Sequence, residues 1–73
     1  MEKNKIIGVN IKTAREKHSL TQEQLAAKLQ IAGCDISRGT LAKIEVGIRD
    51  LKVTELPFFL KILEMDLDNL YAE

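Results

Sequence analysis

An all-α domain of five short helices is the fold class this sequence predicts, and three observations predict it. Apolar residues recur at helical spacing along the whole chain, and no alternating strand-like run interrupts them. Thr21, Ser37, Thr54 and Asp66 each stand where a helix cap is required, just ahead of an apolar stripe. The chain has 73 residues, about 45% apolar and 30% charged, the balance of one small globular domain with room for a single core.

Ile7, Ile11 and Ala14 mark a first helix over about residues 6–18. Leu20-Thr21-Gln22-Glu23-Gln24-Leu25 opens the second. Thr21 caps it, Gln24 completes a capping box, and Leu20 and Leu25 sit where a hydrophobic staple closes. Leu25, Ala26 and Leu29 carry this helix to about residue 32, with a turn at Gly33-Cys34-Asp35. Ser37 then caps a third helix over about 37–46, Ile36 and Leu41 are its staple, and Gly47 stops it in a left-handed conformation. Thr54 is expected to cap a fourth helix over about 54–64. Pro57 is tolerated in its first turn, and Leu56, Phe59, Leu60 and Leu63 form its stripe. Asp66 caps a fifth over about 66–71, with Leu67, Leu70 and Tyr71.

Composition narrows the function classes. The single cysteine, Cys34, excludes an internal disulfide and a multi-cysteine zinc site. It reads as an ordinary turn residue, because no second thiol is present to resolve an oxidised one. No apolar run approaches the ~20 residues that span a bilayer, and no signal-peptide pattern follows the charged start. A reducing, cytoplasmic setting is expected. There is no cysteine–histidine pair at helical spacing, no glycine-rich phosphate loop and no metal-spaced cluster. Neither an enzyme, nor a cofactor, nor a metal is therefore expected. Net charge is zero, but its halves differ. Residues 1–43 hold eight Lys/Arg against four Asp/Glu, and residues 44–73 hold three against seven. A +4 half and a −4 half suit one face that meets an anionic partner and another that repels it.

Two helices joined by a turn, each opened by a Thr or Ser cap and a staple, are the pattern of a helix-turn-helix. The runs Ile11–Lys17, Leu20–Leu29, Ile36–Gly47 and Phe59–Tyr71 together closely resemble the lambda-repressor-like, or XRE, helix-turn-helix family, and the resemblance extends from Ile7 to Tyr71. There is one departure. Six residues, Gln30–Asp35, separate Leu29 from Ile36 where the family usually has one, so the second helix is expected to run a turn longer and to bend at Gly33.

The resemblance implies a DNA-binding transcriptional regulator, bacterial or phage-encoded, whose third helix reads the major groove of duplex DNA as a homodimer. Ser37, Arg38, Gly39, Thr40 and Lys43 would then face the bases. Their chemistry agrees: Arg38 offers a rigid fork for guanine O6 and N7, and Lys43 follows Gly39 by four residues on the same helix face. A solvated polar face would look the same without the resemblance. Thr21 and Gln22, at a helix N-terminus, are phosphate candidates, with Lys12, Arg49 and Lys52 as further ones. Arg15 and Glu45 match positions that resemble a partly buried ion pair between the first and third helices. A protein-interaction module on the same fold, such as an antitoxin-type partner or adapter, is the competing reading, and the zero net charge favours it. No small-molecule pocket is expected, since a domain of this size has little room beside its core for an effector cavity of ~300 Å³ or more. Phe58, Ile62 and Met65 form a second apolar arc on the fourth helix. Either a second copy covers that arc or the first and fifth helices do.

Overall fold

The computed structural model describes residues 2–73. Five helices follow in order: α1 Lys3–Lys17, α2 Gln22–Ala32, α3 Arg38–Glu45, α4 Leu56–Ile62 and α5 Leu67–Tyr71. No strand occurs among the described residues. α1 packs against α3 and α5, while α2 packs against α3 and α4, so α3 is held from two sides. Ile11, Leu25, Leu29, Leu41, Ile44, Phe59 and Leu70 are buried together at the centre. Each comes from the stripe that the helical period assigns to the inner face.

The starts of α2, α3 and α5 follow their cap chemistry. Thr21 Oγ1 accepts the Gln24 N–H and Gln24 Oε1 accepts the Thr21 N–H, which closes the capping box of α2. Asp66 and Asn69 close the same box at α5. Ser37 Oγ accepts the Thr40 N–H at α3. Two starts differ from expectation. α1 begins at Lys3 rather than near residue 6: the Glu2 carbonyl accepts the Lys5 and Ile6 N–H groups, Lys3 lies over the Tyr71 ring, and Asn4 hydrogen-bonds Asp50. The charged Lys3-Asn4-Lys5 segment, which lacks an apolar stripe, is thus tied down by tertiary contacts. Thr54 does not cap α4. Residues 53–55 form a turn, and Glu55 takes the cap position with its side chain directed back into the loop. The helix is correspondingly short, and its lost first turn is replaced by Leu56 N–H to Lys52 C=O and the loop contacts described below.

The ends of the first four helices share one device. A residue just past each helix turns left-handed, and its N–H and that of the next residue bond back to last-turn carbonyls, as with Gly47 to Ile44 and Ile48 to Lys43 after α3. At α2 the left-handed residue is Gly33 (φ 108°) and at α3 it is Gly47 (φ 83°). At α1 and α4 it is Ser19 (φ 58°) and Glu64 (φ 52°), which lack glycine's freedom there. α2 runs through Ala32, and Cys34 N–H reaches Leu29 C=O across Gly33. The extra residues of the α2–α3 connection therefore first lengthen the helix and then turn.

That connection is not a loose loop. Cys34 is buried in the core at 4% exposure and Ile36 at 1%, so the cysteine is a packing residue, which the sequence reading of a plain turn residue missed. Gln30 Nε2 donates to the Ile36 carbonyl at 2.9 Å and ties the end of α2 to the entry of α3. Burial also pushes the Cys34 thiol up from its ordinary range, with Glu55 adding to the effect.

Candidate nucleic-acid interface

α3 has two distinct faces. Leu41, Ile44 and Glu45 point inward and are buried, while Ser37, Arg38, Gly39 and Lys43 are exposed and Thr40 is half-buried. The exposed set begins at the cap and first turn with Ser37, Arg38 and Gly39 and ends with Lys43 in the last turn of α3. Ser37 Oγ donates to Thr40 Oγ1 at 3.1 Å, which leaves the Thr40 hydroxyl hydrogen free to point outward. Arg38 and Lys43 have no side-chain hydrogen-bond or ion-pair partner among the described residues. A Cβ added at Gly39 would meet only Ser37 Oγ, at 3.9 Å, so no protein contact requires a glycine there.

The buried face is fixed by charge. Arg15 Nε donates to Glu45 Oε2 at 2.7 Å and Arg15 Nη2 to Glu45 Oε1 at 2.9 Å, a bidentate pair joining α1 to the end of α3. Their side chains are 9% and 2% exposed. Arg15 Nη1 also donates to the Leu20 carbonyl, so all its nitrogens are engaged at the entry to α2. Gln22 Nε2 donates to Glu45 Oε1 at 3.0 Å. One carboxylate thus holds the starts of α2 and the finish of α3 to α1.

α1 reaches this junction by an unusually close approach. A Cβ on Gly8 would lie 2.5 Å from the Ile44 carbonyl oxygen and 2.7 Å from the Glu45 carbonyl carbon, and would press on the Glu45 carbonyl oxygen as well. Gly8 is therefore where α1 and the last turn of α3 touch backbone to backbone. The sequence carries a signal for it, a glycine inside a helical pattern, but the helical period alone does not say why it is there.

A helix-turn-helix family model matches residues 11–70. The chain belongs to that family, in its XRE or lambda-repressor-like branch. No curated protein and no solved structure matches it. The family is one of DNA-binding regulators and not of enzymes, and no helix among the described residues is long and apolar enough to cross a membrane.

Within this helix-turn-helix domain the phosphate candidates separate. Lys12 and Lys52 are exposed and their ammonium groups unpaired among the described residues. Thr21 is exposed; the capping box takes its N–H and one lone pair of its hydroxyl oxygen, and the hydroxyl hydrogen stays free to donate. Gln22 gives one Nε2 hydrogen to Glu45 in the free protein. Arg49 is likewise paired within the chain. Its Nη1 and Nη2 donate to Glu55 Oε1 and Oε2 at 2.7 and 2.8 Å, and Nη1 also reaches the Asp50 carbonyl. Glu55 Oε1 accepts the Lys52 N–H as well. The guanidinium of Arg49 holds the Glu55 carboxyl below its usual range, and burial opposes this. Arg49 therefore braces the α3–α4 loop. Its partner was not visible in the sequence because the turn at 53–55 was read as helix.

Asn10 is a further position that the helical pattern does not mark. Asn10 Nδ2 donates to the Leu70 and Ala72 carbonyls at 2.7 and 2.8 Å and clamps the end of α5 onto α1. Phe58, Ile62 and Met65 are each half-buried and packed on the core within one chain, with Phe58 beside Gly33 at the end of α2.

Proposed function

We propose that this domain is a sequence-specific DNA-binding transcriptional regulator, acting as a repressor by occupying its site, which places α3 in the major groove as a two-fold homodimer. The observation that carries the reading is the division of α3. Its inner face is locked by the Arg15–Glu45 pair, while its outer face presents Arg38 and Gly39 in the first turn and Lys43 in the last, all exposed to solvent. Base contacts fall to Arg38, whose planar fork suits guanine O6 and N7, with Lys43, Ser37 and Thr40 beside it. Gly39 lets the backbone come close to the duplex. Phosphate contacts fall to Lys12 and Lys52 and to the free N–H groups at the start of α2. Gln22 can join them with the second hydrogen of Nε2, the first being given to Glu45. Two copies related by a two-fold axis would set their α3 helices about one DNA turn, ~34–36 Å, apart and read a palindromic site.

Selection of bound duplexes from a random library, followed by titration against salt, tests the reading. A palindromic consensus bound as two chains per duplex is expected. Arg38→Ala should lose ~1–3 kcal/mol on that consensus and relax preference at one base pair in each half-site. Equal losses on consensus and random duplex would demote Arg38 to a phosphate contact. Absence of any salt-dependent binding would instead favour a protein-interaction module on the same fold.

A further inference from the structure

Ile31 is 88% exposed, the most exposed of the large hydrophobic residues, and it stands in the last turn of α2, inside the stretch that lengthens this helix. An open recess of about 600 Å³ adjoins it, where the ends of α1, α2 and α4 converge. Half-buried Leu20 and Ile62, with Ala32, give the recess an apolar lining. Lys28 on α2 and Glu64 after α4 bring opposite charges to the same lining. Lys28 has no ion-pair partner among the described residues, and Glu64 has only His18, at 3.9 Å.

We propose that this face binds a second copy of the same chain about a two-fold axis. Ile31 of each copy enters the recess of the other, and Lys28 of each copy meets Glu64 of the other. It rests on the homodimeric reading given above and names the face that reading requires. Three features point to a second copy rather than to another partner. A two-fold contact uses one patch twice, so that patch must carry both a protrusion and the hollow that receives it. Ile31 and the recess beside it supply both. The patch also carries one cation and one anion on different helices, so the two-fold exchange forms two ion pairs and leaves no like charges facing. Finally, no lining residue belongs to α3, so the exposed face of α3 stays open in the dimer. The arc of Phe58 and Met65 is already packed within the monomer, whereas Ile31 is covered by nothing in its own chain.

The test is sedimentation equilibrium without DNA, on the wild type, Ile31→Asp, Lys28→Glu, Glu64→Lys and the double reversal Lys28→Glu/Glu64→Lys. Circular dichroism of each variant monitors the fold. The wild type should be dimeric at tens of micromolar. Ile31→Asp should weaken the dimer at least ~10-fold with helix content unchanged. Each single charge reversal should weaken it severalfold, and the double reversal should restore it. An Ile31→Asp protein as dimeric as the wild type would overturn the proposed face and leave the homodimeric reading intact. Failure of the double reversal to rescue would overturn the Lys28–Glu64 pairing. A wild type that stays monomeric would overturn the proposal, while two chains per duplex in the DNA titration would still support the homodimer on its site.

Discussion

Gly8→Ala and Gly39→Ala are the same chemical change, one methyl group on a helical glycine, and should have opposite effects. In helix propensity alone each gains up to ~1 kcal/mol, because alanine loses less backbone freedom on folding. At Gly39 little opposes the gain. The new methyl meets only Ser37 Oγ at 3.9 Å, so the protein should become more stable by a fraction of that amount, given the position near the helix start. At Gly8 the methyl would lie 2.5 Å from the Ile44 carbonyl oxygen and 2.7 Å from the Glu45 carbonyl carbon. Comfortable contact is ~3.5 Å, so α1 and the end of α3 must part by about 1 Å. The atoms in the way are backbone, and no side-chain rotation relieves them. Overpacking of this kind costs ~1–3 kcal/mol or more, which exceeds the propensity gain. The shift would also drag Glu45 away from Arg15 and Gln22. The two variants should differ by ~1–3 kcal/mol, and in a domain this small each kcal/mol moves the melting temperature by ~4–8 °C. Thermal and urea unfolding followed by circular dichroism read the difference directly. A Gly8→Ala protein as stable as the wild type would show that α1 and α3 do not touch through their backbones. If Gly39→Ala gains stability and loses DNA affinity, the glycine serves the duplex and not the fold.

Glu45→Ala should destabilise by ~1–3 kcal/mol, because it leaves Arg15 buried beside an absent partner, and the double change with Arg15→Ala should cost less than the two singles added; strict additivity in that cycle would mean no interaction. Glu55 titrates below its unfolded value, so its share of stability is complete above about pH 4.3 and is lost as pH falls through the folded value. Glu55→Gln should therefore be less stable than the wild type at pH 7, and the gap should close towards pH 3; a gap independent of pH would show that the carboxylate charge does not matter. The Cys34 thiol, buried and pushed up, should alkylate at the rate of unfolding at pH 7, so fast labelling of the folded protein would contradict its place in the core.

What the sequence made legible is local. A Thr with Gln three residues on, or a Ser ahead of a staple, names its own hydrogen bonds, and α2 and α3 begin where that chemistry says. Gly33 likewise marks the end of the longer α2. Two misplaced helix starts have the opposite origin. α1 begins early because Lys3 and Asn4 find Tyr71 and Asp50, dozens of residues away. α4 begins late because Glu55 is drawn to Arg49. The same divide runs through the site. The exposure of Arg38 and Lys43 was legible because an exposed helix face follows from its buried one. The pairing of Gln22 and Arg49 was not, because which acceptor the fold places beside a donor follows from no spacing rule. Gly8 is the sharpest case. Its role lies in the distance between two helix axes, a quantity that no single segment contains.

These pairings also resolve the conflict between zero net charge and a DNA-binding face. Two of the arginines, Arg15 and Arg49, are locked onto Glu45 and Glu55, so four of the charges cancel inside the fold. Much of the remaining acid, Glu64, Asp66, Asp68 and Glu73, sits at or beyond the end of α4, and no residue of α3 is among it. Unpaired Lys12, Arg38, Lys43 and Lys52 are then the cations available to the duplex. Net charge therefore does not argue against DNA, but it limits how DNA is held. With about two phosphates neutralised per chain, by Lys12 and Lys52, the logarithm of affinity should fall with the logarithm of salt at a slope of about −2 for one chain. Sequence-independent attraction of that size is modest. In the homodimer proposed above, most of the useful affinity would then come from terms that counterion release does not supply: the proposed base contacts of Arg38 and Lys43, and their doubling when two chains bind as one. A chain with so little electrostatic grip would depend on a second copy more than a strongly basic one.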